Sequence, residues 1–212
     1  MVRLVFDGKA RPLGVPRALA LPGRPRRGRA FRVLVLGGAR SGKSVTAERM
    51  LGDRERVDYV ACGMAADDDA DPAWAERVRL HRERRPAGWT TVETLDLPGV
   101  LSLSDETPVL VDCLSTWLAG VMDECGLWDG AAGADKALAD QALADRVDGL
   151  LDGWRSSRRL VVAVSNEVGS GVVPGTASGG RYRDELGRLN ARVAAGCEQV
   201  WLCTAGIPRR LR

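Results

Sequence analysis

The sequence predicts an α/β protein with a mostly parallel central sheet covered by helices on both faces. Short β-rich runs such as Leu160-Val161-Val162-Ala163-Val164 are apolar throughout rather than alternating, as strands buried on both faces are. These runs alternate along the chain with segments of helical periodicity. At one strand-to-helix junction stands Gly37-Gly38-Ala39-Arg40-Ser41-Gly42-Lys43-Ser44, which reads G-x-x-x-x-G-K-S, the phosphate-binding P-loop pattern. Together they specify a P-loop NTPase-like three-layer fold, and 212 residues suffice for one domain with a sizeable core.

In chain order, residues 1–30 are a different material from the rest. Pro12, Pro16, Pro22 and Pro25 break any helix, and Arg24, Arg26, Arg27 and Arg29 cluster before the first strand, so the segment reads as a mobile extension, either a solvated tail, which a short basic run favours, or an arm for an anionic partner. Residues 31–212 read as one P-loop nucleotide-binding domain. Phe31–Leu36 is its first strand, and Val45–Leu51 continue the loop into a helix that ends near Gly52. Val57–Cys62 is a second strand. The acidic run Asp67–Asp69 precedes Asp71-Pro72, a helix start; adjacent carboxylates do not converge on one ion, so the run reads as a solvated helix N-terminus. A helix runs from Ala73 to about Arg84 and carries His81. Trp89–Glu93 and Thr107–Asp112 are strands. Leu114, Trp117, Leu118, Val121 and Met122 recur at helical spacing, as do Leu138, Val147, Leu150, Leu151 and Trp154. Leu160–Ser165 is a buried strand, 166–180 a glycine-rich loop, Leu186, Leu189 and Val193 mark a helix, and Val200–Thr204 is the last strand expected.

Strand, glycine loop and helix are the geometry that phosphate binding needs. Glycines let backbone N–H groups crowd a phosphate, and the helix N-terminus adds partial positive charge. Lys43 is placed to reach the β- and γ-phosphates, and the Ser44 hydroxyl to sit on Mg²⁺. Asp112 closes an apolar strand downstream, where P-loop proteins keep the carboxylate behind the Mg²⁺ hydration shell; an ordinary strand-end Asp has the same appearance. The motif indicates a nucleotide but no reaction, and the Asn-Lys-x-Asp guanine signature is absent.

His81, the single histidine, is open to two readings. It shares a helix face with Trp74 and Val78, which suits a packed side chain. It also stands among Arg77, Arg79, Arg82, Arg84 and Arg85, which suit phosphate oxygens or a solvated face, and a neutral imidazole is a competent nucleophile toward phosphorus.

Composition narrows the class. A net charge of +3 does not point to nucleic acid. No apolar run approaches the ~20 residues of a membrane span, and Arg17 and Pro22 interrupt the only apolar stretch near the N-terminus. The five cysteines form no C-x-x-C pair, which fits reduced thiols in a cytoplasm.

Three segments together resemble the bifunctional adenosylcobinamide kinase / adenosylcobinamide-phosphate guanylyltransferases of cobalamin biosynthesis. They are Val35–Ser44; His81-Arg82 through Arg85-Pro86 with Trp89 and Glu93; and Asn166–Gly169 through Pro174, with Arg181–Asp184 and Gly187–Asn190. The resemblance implies phosphorylation of the aminopropanol hydroxyl of adenosylcobinamide by a nucleoside triphosphate, GTP or ATP. It further implies transfer of GMP from GTP to that phosphate through a guanylyl-histidine, matched here by His81, with pyrophosphate released. Nucleotide contacts carried over are Gly37, Gly38, Ala39, Arg40, Ser41, Gly42, Lys43, Ser44, Arg82, Glu83, Arg84, Arg85, Glu93 and Asp112, with Ser44 and Asp112 on Mg²⁺ and a homotrimer as the assembly. The chain departs from the family after the second strand, where Trp74 replaces a common Met, which bears on contacts near Gly63 and Met64. A kinase lacking guanylyl transfer and a non-catalytic GTP-binding switch are the alternatives.

Overall fold

The structure, a computed structural model, describes residues 30–63, 76, 79, 82–83, 85–128 and 133–212. The N-terminal extension, Asp67–Asp69, Trp74, Val78, His81 and Arg84 fall outside the described residues.

β1 (Phe31–Gly37) passes into α1 (Lys43–Met50); β2 (Val57–Ala61), β3 (Trp89–Glu93), α2 (Leu97–Ser102), β4 (Val109–Asp112), α3 (Leu114–Glu124) and α4 (Gly133–Ser156) follow. β5 (Leu160–Asn166), α5 (Ala177–Ala195), β6 (Gln199–Thr204) and β7 (Ile207–Arg210) complete the order. The strands form one seven-stranded sheet in the order β3-β2-β4-β5-β1-β6-β7. All pairings are parallel except β6 with β7. β1 is therefore central: Phe31 lies opposite Leu160 of β5, and Val33 opposite Gln199 of β6.

The alternation of side chains along each strand divides the core into two apolar layers. Leu34, Val111 and Val161 face α2–α5, packing with Leu97, Trp117, Leu150, Trp154 and Leu189. Val33, Val35 and Val162 face α1, packing with Ala47, Met50, Leu51 and Trp201. Each such fully buried side chain contributes roughly 1.5–3 kcal/mol. In α3 the residues at i, i+3, i+4, i+7 and i+8, Leu114, Trp117, Leu118, Val121 and Met122, are all wholly buried, so the 3.6 period sets its inward face.

Beneath the sheet, at the end opposite the P-loop, Arg159 is buried with its side chain fully covered. Its guanidinium pairs with Asp58 at the start of β2, and donates to Thr107 O at 2.7 Å and Val100 O at 3.2 Å. That one residue ties β2, the approach to β4, and α2 to the start of β5.

Three elements differ from the sequence expectation. Val200–Thr204 is not the last strand, because β7 turns back antiparallel onto β6. The glycine-rich loop ends at Thr176, whose Oγ1 accepts from Gly179 N at 3.2 Å and starts α5 at Ala177 despite Gly179 and Gly180 in its first turn. α2 was not expected; Asp96 caps it, accepting from Gly99 N at 2.9 Å, with Pro98 in its first turn.

Candidate active site

The P-loop is held by the strands around it. Glu167 N donates to Gly37 O at 3.1 Å, Thr46 N to Gly42 O at 2.9 Å, and Gly206 N, in the β6–β7 turn, to Ser41 O at 3.0 Å. Two glycines are dictated by this geometry. A Cβ on Gly37 would stand 2.3 Å from Ser41 Oγ and 2.7 Å from Cys203 O. Gly42 has φ +90° and backs onto Gly206, with 3.2 Å from its would-be Cβ to that Cα. Gly38, Ala39 and Arg40 form the exposed tip, Arg40 with φ 56°, while Ser41 is buried behind it.

Lys43 is buried in the first turn of α1, its Nζ donating to Gly38 O at 3.1 Å, so the cation lies within the loop that would hold the phosphates. Ser44 Oγ donates to Asp112 Oδ1 at 3.3 Å. The first turn of α1, which follows β1, thus meets the end of β4 at the carboxyl edge of the sheet, where open α/β sheets bind ligands. The other carboxylate oxygen, Oδ2, accepts from the Tyr59 hydroxyl at 2.7 Å. Burial first, then the Asp112 charge, pushes the Tyr59 phenol above its ordinary range, which keeps it a proton donor. Burial likewise raises the thiol of Cys62, just past the end of β2, with Cys113 and Asp112 adding to the effect.

The arginine segment reaches this cluster from the side. The Arg85 guanidinium lies 3.5 Å from the Tyr59 ring centroid and donates to Thr91 Oγ1 at 2.7 Å. Arg82 pairs with Glu93 at 2.5 Å on the same edge strand. Glu83 instead pairs with Arg79 on an exposed helical face. Among the described residues the site therefore joins Lys43, Ser44, Asp112 and Arg85, with Arg82 and Glu93 beside them; His81 and Arg84 are not placed. Tyr59 is the member that sequence reasoning missed. It lies opposite Leu110 in the β2–β4 register, two residues before the pair Ala61–Asp112 and on the same face, a signal that needs the strand order to be known. A cavity of about 720 Å³ lies apart from this cluster, between α4 and α5, walled by Trp128, Asp140, Leu143, Val147, Arg181 and Glu185.

A mostly parallel sheet that presents a glycine loop, a lysine, a hydroxyl and an opposed carboxylate at one edge defines an α/β P-loop nucleotide-binding protein. The fold is similar to that of a prototypical ATPase from the type III secretion system of pathogenic bacteria, with a TM-score of 0.52 and 11% identity over 82% of this chain and 51% of that one, which speaks to the fold alone. Residues 33–211 match the model of the cobinamide kinase / cobinamide phosphate guanyltransferase family, and the chain belongs to that family. It is 34% identical over 183 residues to the bifunctional adenosylcobalamin biosynthesis protein CobU of Salmonella typhimurium, covering 85% of this chain and 99% of that protein. It is 37% identical over 186 residues to the bifunctional adenosylcobalamin biosynthesis protein CobP of Pseudomonas aeruginosa, covering 86% and 98%.

Proposed function

We propose that this protein phosphorylates the aminopropanol hydroxyl of adenosylcobinamide and then transfers GMP from GTP onto the new phosphate. The observation that carries the reading is the meeting of Lys43, Ser44 and Asp112 at one sheet edge with Arg85 alongside, in a chain of this family. In the kinase step the acceptor hydroxyl oxygen attacks the γ-phosphorus of GTP or ATP, the bond to the β-phosphate oxygen breaks, and the nucleoside diphosphate leaves as the hydroxyl proton is lost. Lys43 and the loop N–H groups offset the phosphate charge.

Ser44 Oγ and Asp112 Oδ1, two hard oxygens 3.3 Å apart, suit Mg²⁺, which would neutralise phosphate charge there. In the transferase step an imidazole nitrogen of His81 attacks the α-phosphorus of GTP and pyrophosphate leaves; the cobinamide phosphate then displaces the histidine and gives adenosylcobinamide-GDP. The support for His81 is the His81-Arg82 to Arg85-Pro86 segment and the absence of a second histidine. Residues 31–212 would be the catalytic unit, working in the cytoplasm as a homotrimer; no helix among the described residues is long and apolar enough to cross a membrane.

Intact mass after incubation with GTP and Mg²⁺ tests the reading. One GMP adduct is expected, lost in acid, stable in base, and absent in His81→Asn. Phosphorylated cobinamide without an adduct would mark a kinase alone, and GTP binding without either product a switch.

A further inference from the structure

We propose that Tyr59 is a positioning residue that fixes the Asp112 carboxylate toward the phosphate loop. The proposal rests on the reading of Ser44 and Asp112 as the metal side of the nucleotide site.

Tyr59 is 2% exposed, in the apolar layer that holds Val35, Ala47, Met50 and Trp201. A phenylalanine would fill that space as well, and a buried hydroxyl needs a partner to offset its lost hydration. The partner is a carboxylate at 2.7 Å, from a ring that β2 and its apolar neighbours hold in place. The two oxygens of Asp112 are thereby divided: Oδ2 is taken by the rigid phenol and Oδ1 is turned to Ser44, at the longer 3.3 Å. Of these two contacts the one to Tyr59 is the shorter and better fixed, so it sets the plane of the carboxylate. The outer face of the same ring carries the Arg85 guanidinium at 3.5 Å, and Arg85 is anchored to Thr91 on β3. Contacts therefore run without a break from the edge strand through Arg85, Tyr59 and Asp112 to Ser44. A carboxylate aimed beforehand spends no free energy on ordering when the ion arrives, which is the benefit a supporting hydrogen bond gives a metal ligand.

The test is Tyr59→Phe, which keeps the ring and removes only the hydroxyl. Binding of a fluorescent GTP analogue is titrated with Mg²⁺, repeated in EDTA, and accompanied by a thermal melt; Asp112→Asn is measured in parallel. The expected result is a Mg²⁺ midpoint raised about three- to tenfold in Tyr59→Phe, with EDTA binding and melting temperature close to the parent. Asp112→Asn should shift the midpoint further. An unchanged midpoint in Tyr59→Phe while Asp112→Asn shifts overturns the role of Tyr59 alone. Equal weakening with and without Mg²⁺, together with a lowered melt, also overturns it, by showing that the hydroxyl serves packing. No shift in either variant removes the metal reading, and the Tyr59 proposal with it.

Discussion

Replacing Arg159 by Met should destabilise the fold severely while leaving the chemistry at the opposite sheet edge alone. The side chain is fully covered, and Met retains much of its apolar stem, so the loss is polar. Removing one partner of a buried ion pair costs about 3–5 kcal/mol, because the other charge is stranded. Asp58 keeps 21% of its side chain exposed, which lets water recover part of that penalty and favours the lower end. The carbonyls of Thr107 and Val100 each lose a donor, at about 1 kcal/mol apiece. The sum is about 5 kcal/mol, a large share of the ~5–15 kcal/mol that holds a domain together. For a chain of this size that lowers the melting temperature by about 10–20 °C. Far-UV circular dichroism melts of the parent, Arg159→Met, Asp58→Asn and the double variant check the figure. The double variant should be more stable than the sum of the single losses predicts, by on the order of 1–3 kcal/mol, since no carboxylate is left stranded. A fall of less than about 3 °C in Arg159→Met, or strict additivity in the cycle, would refute the argument. So would a changed GTP affinity in the folded variant.

Lys43→Ala should weaken both half-reactions together, by several kcal/mol of lost charge stabilisation, read as parallel falls in phosphorylated cobinamide and pyrophosphate release; survival of both rates would undo the P-loop assignment. Gly37→Ala puts a methyl 2.7 Å from the Cys203 carbonyl, so the loop must shift; nucleotide affinity measured by calorimetry should drop at least about tenfold. Removing residues 1–29 should leave GTP turnover unchanged, because that Pro- and Arg-rich segment precedes the first sheet strand; lost turnover or solubility would show that it contributes to the catalytic unit.

The strands that read clearly from the sequence are those whose side chains are buried on both faces, because only such strands are apolar without interruption. Leu160–Ser165 and Val109–Val111 are wholly buried, and both were legible. β7 was not: of Ile207–Arg210 only Pro208 is partly covered, so an outer strand with a Pro and two Arg has neither the composition nor the period of a buried one. α2 escaped for a similar reason, since Leu97-Pro98-Gly99 has the look of a turn and only the Asp96 cap marks a helix. In the site, Lys43, Ser44 and Asp112 were legible because motif and strand end place them. Tyr59 was not, because its meeting with Asp112 depends on β2 lying beside β4, a matter of topology that no local pattern carries.

The central place of β1 has a consequence for synthesis. Among the described strands the one that leads into the P-loop is the first to leave the ribosome, yet its two neighbours, β5 and β6, come after every other parallel strand of the sheet. Until they emerge, Val33, Leu34 and Val35 have no strand to pair with and expose an apolar run, the condition that invites aggregation or chaperone binding. The loop itself is completed later still, when Gly206, beyond β6, delivers its N–H to Ser41 O. A nucleotide can therefore stabilise only a polypeptide that has been made through Gly206. A nascent chain stalled before β6 should show no protection by GTP against proteolysis, whereas the released protein should.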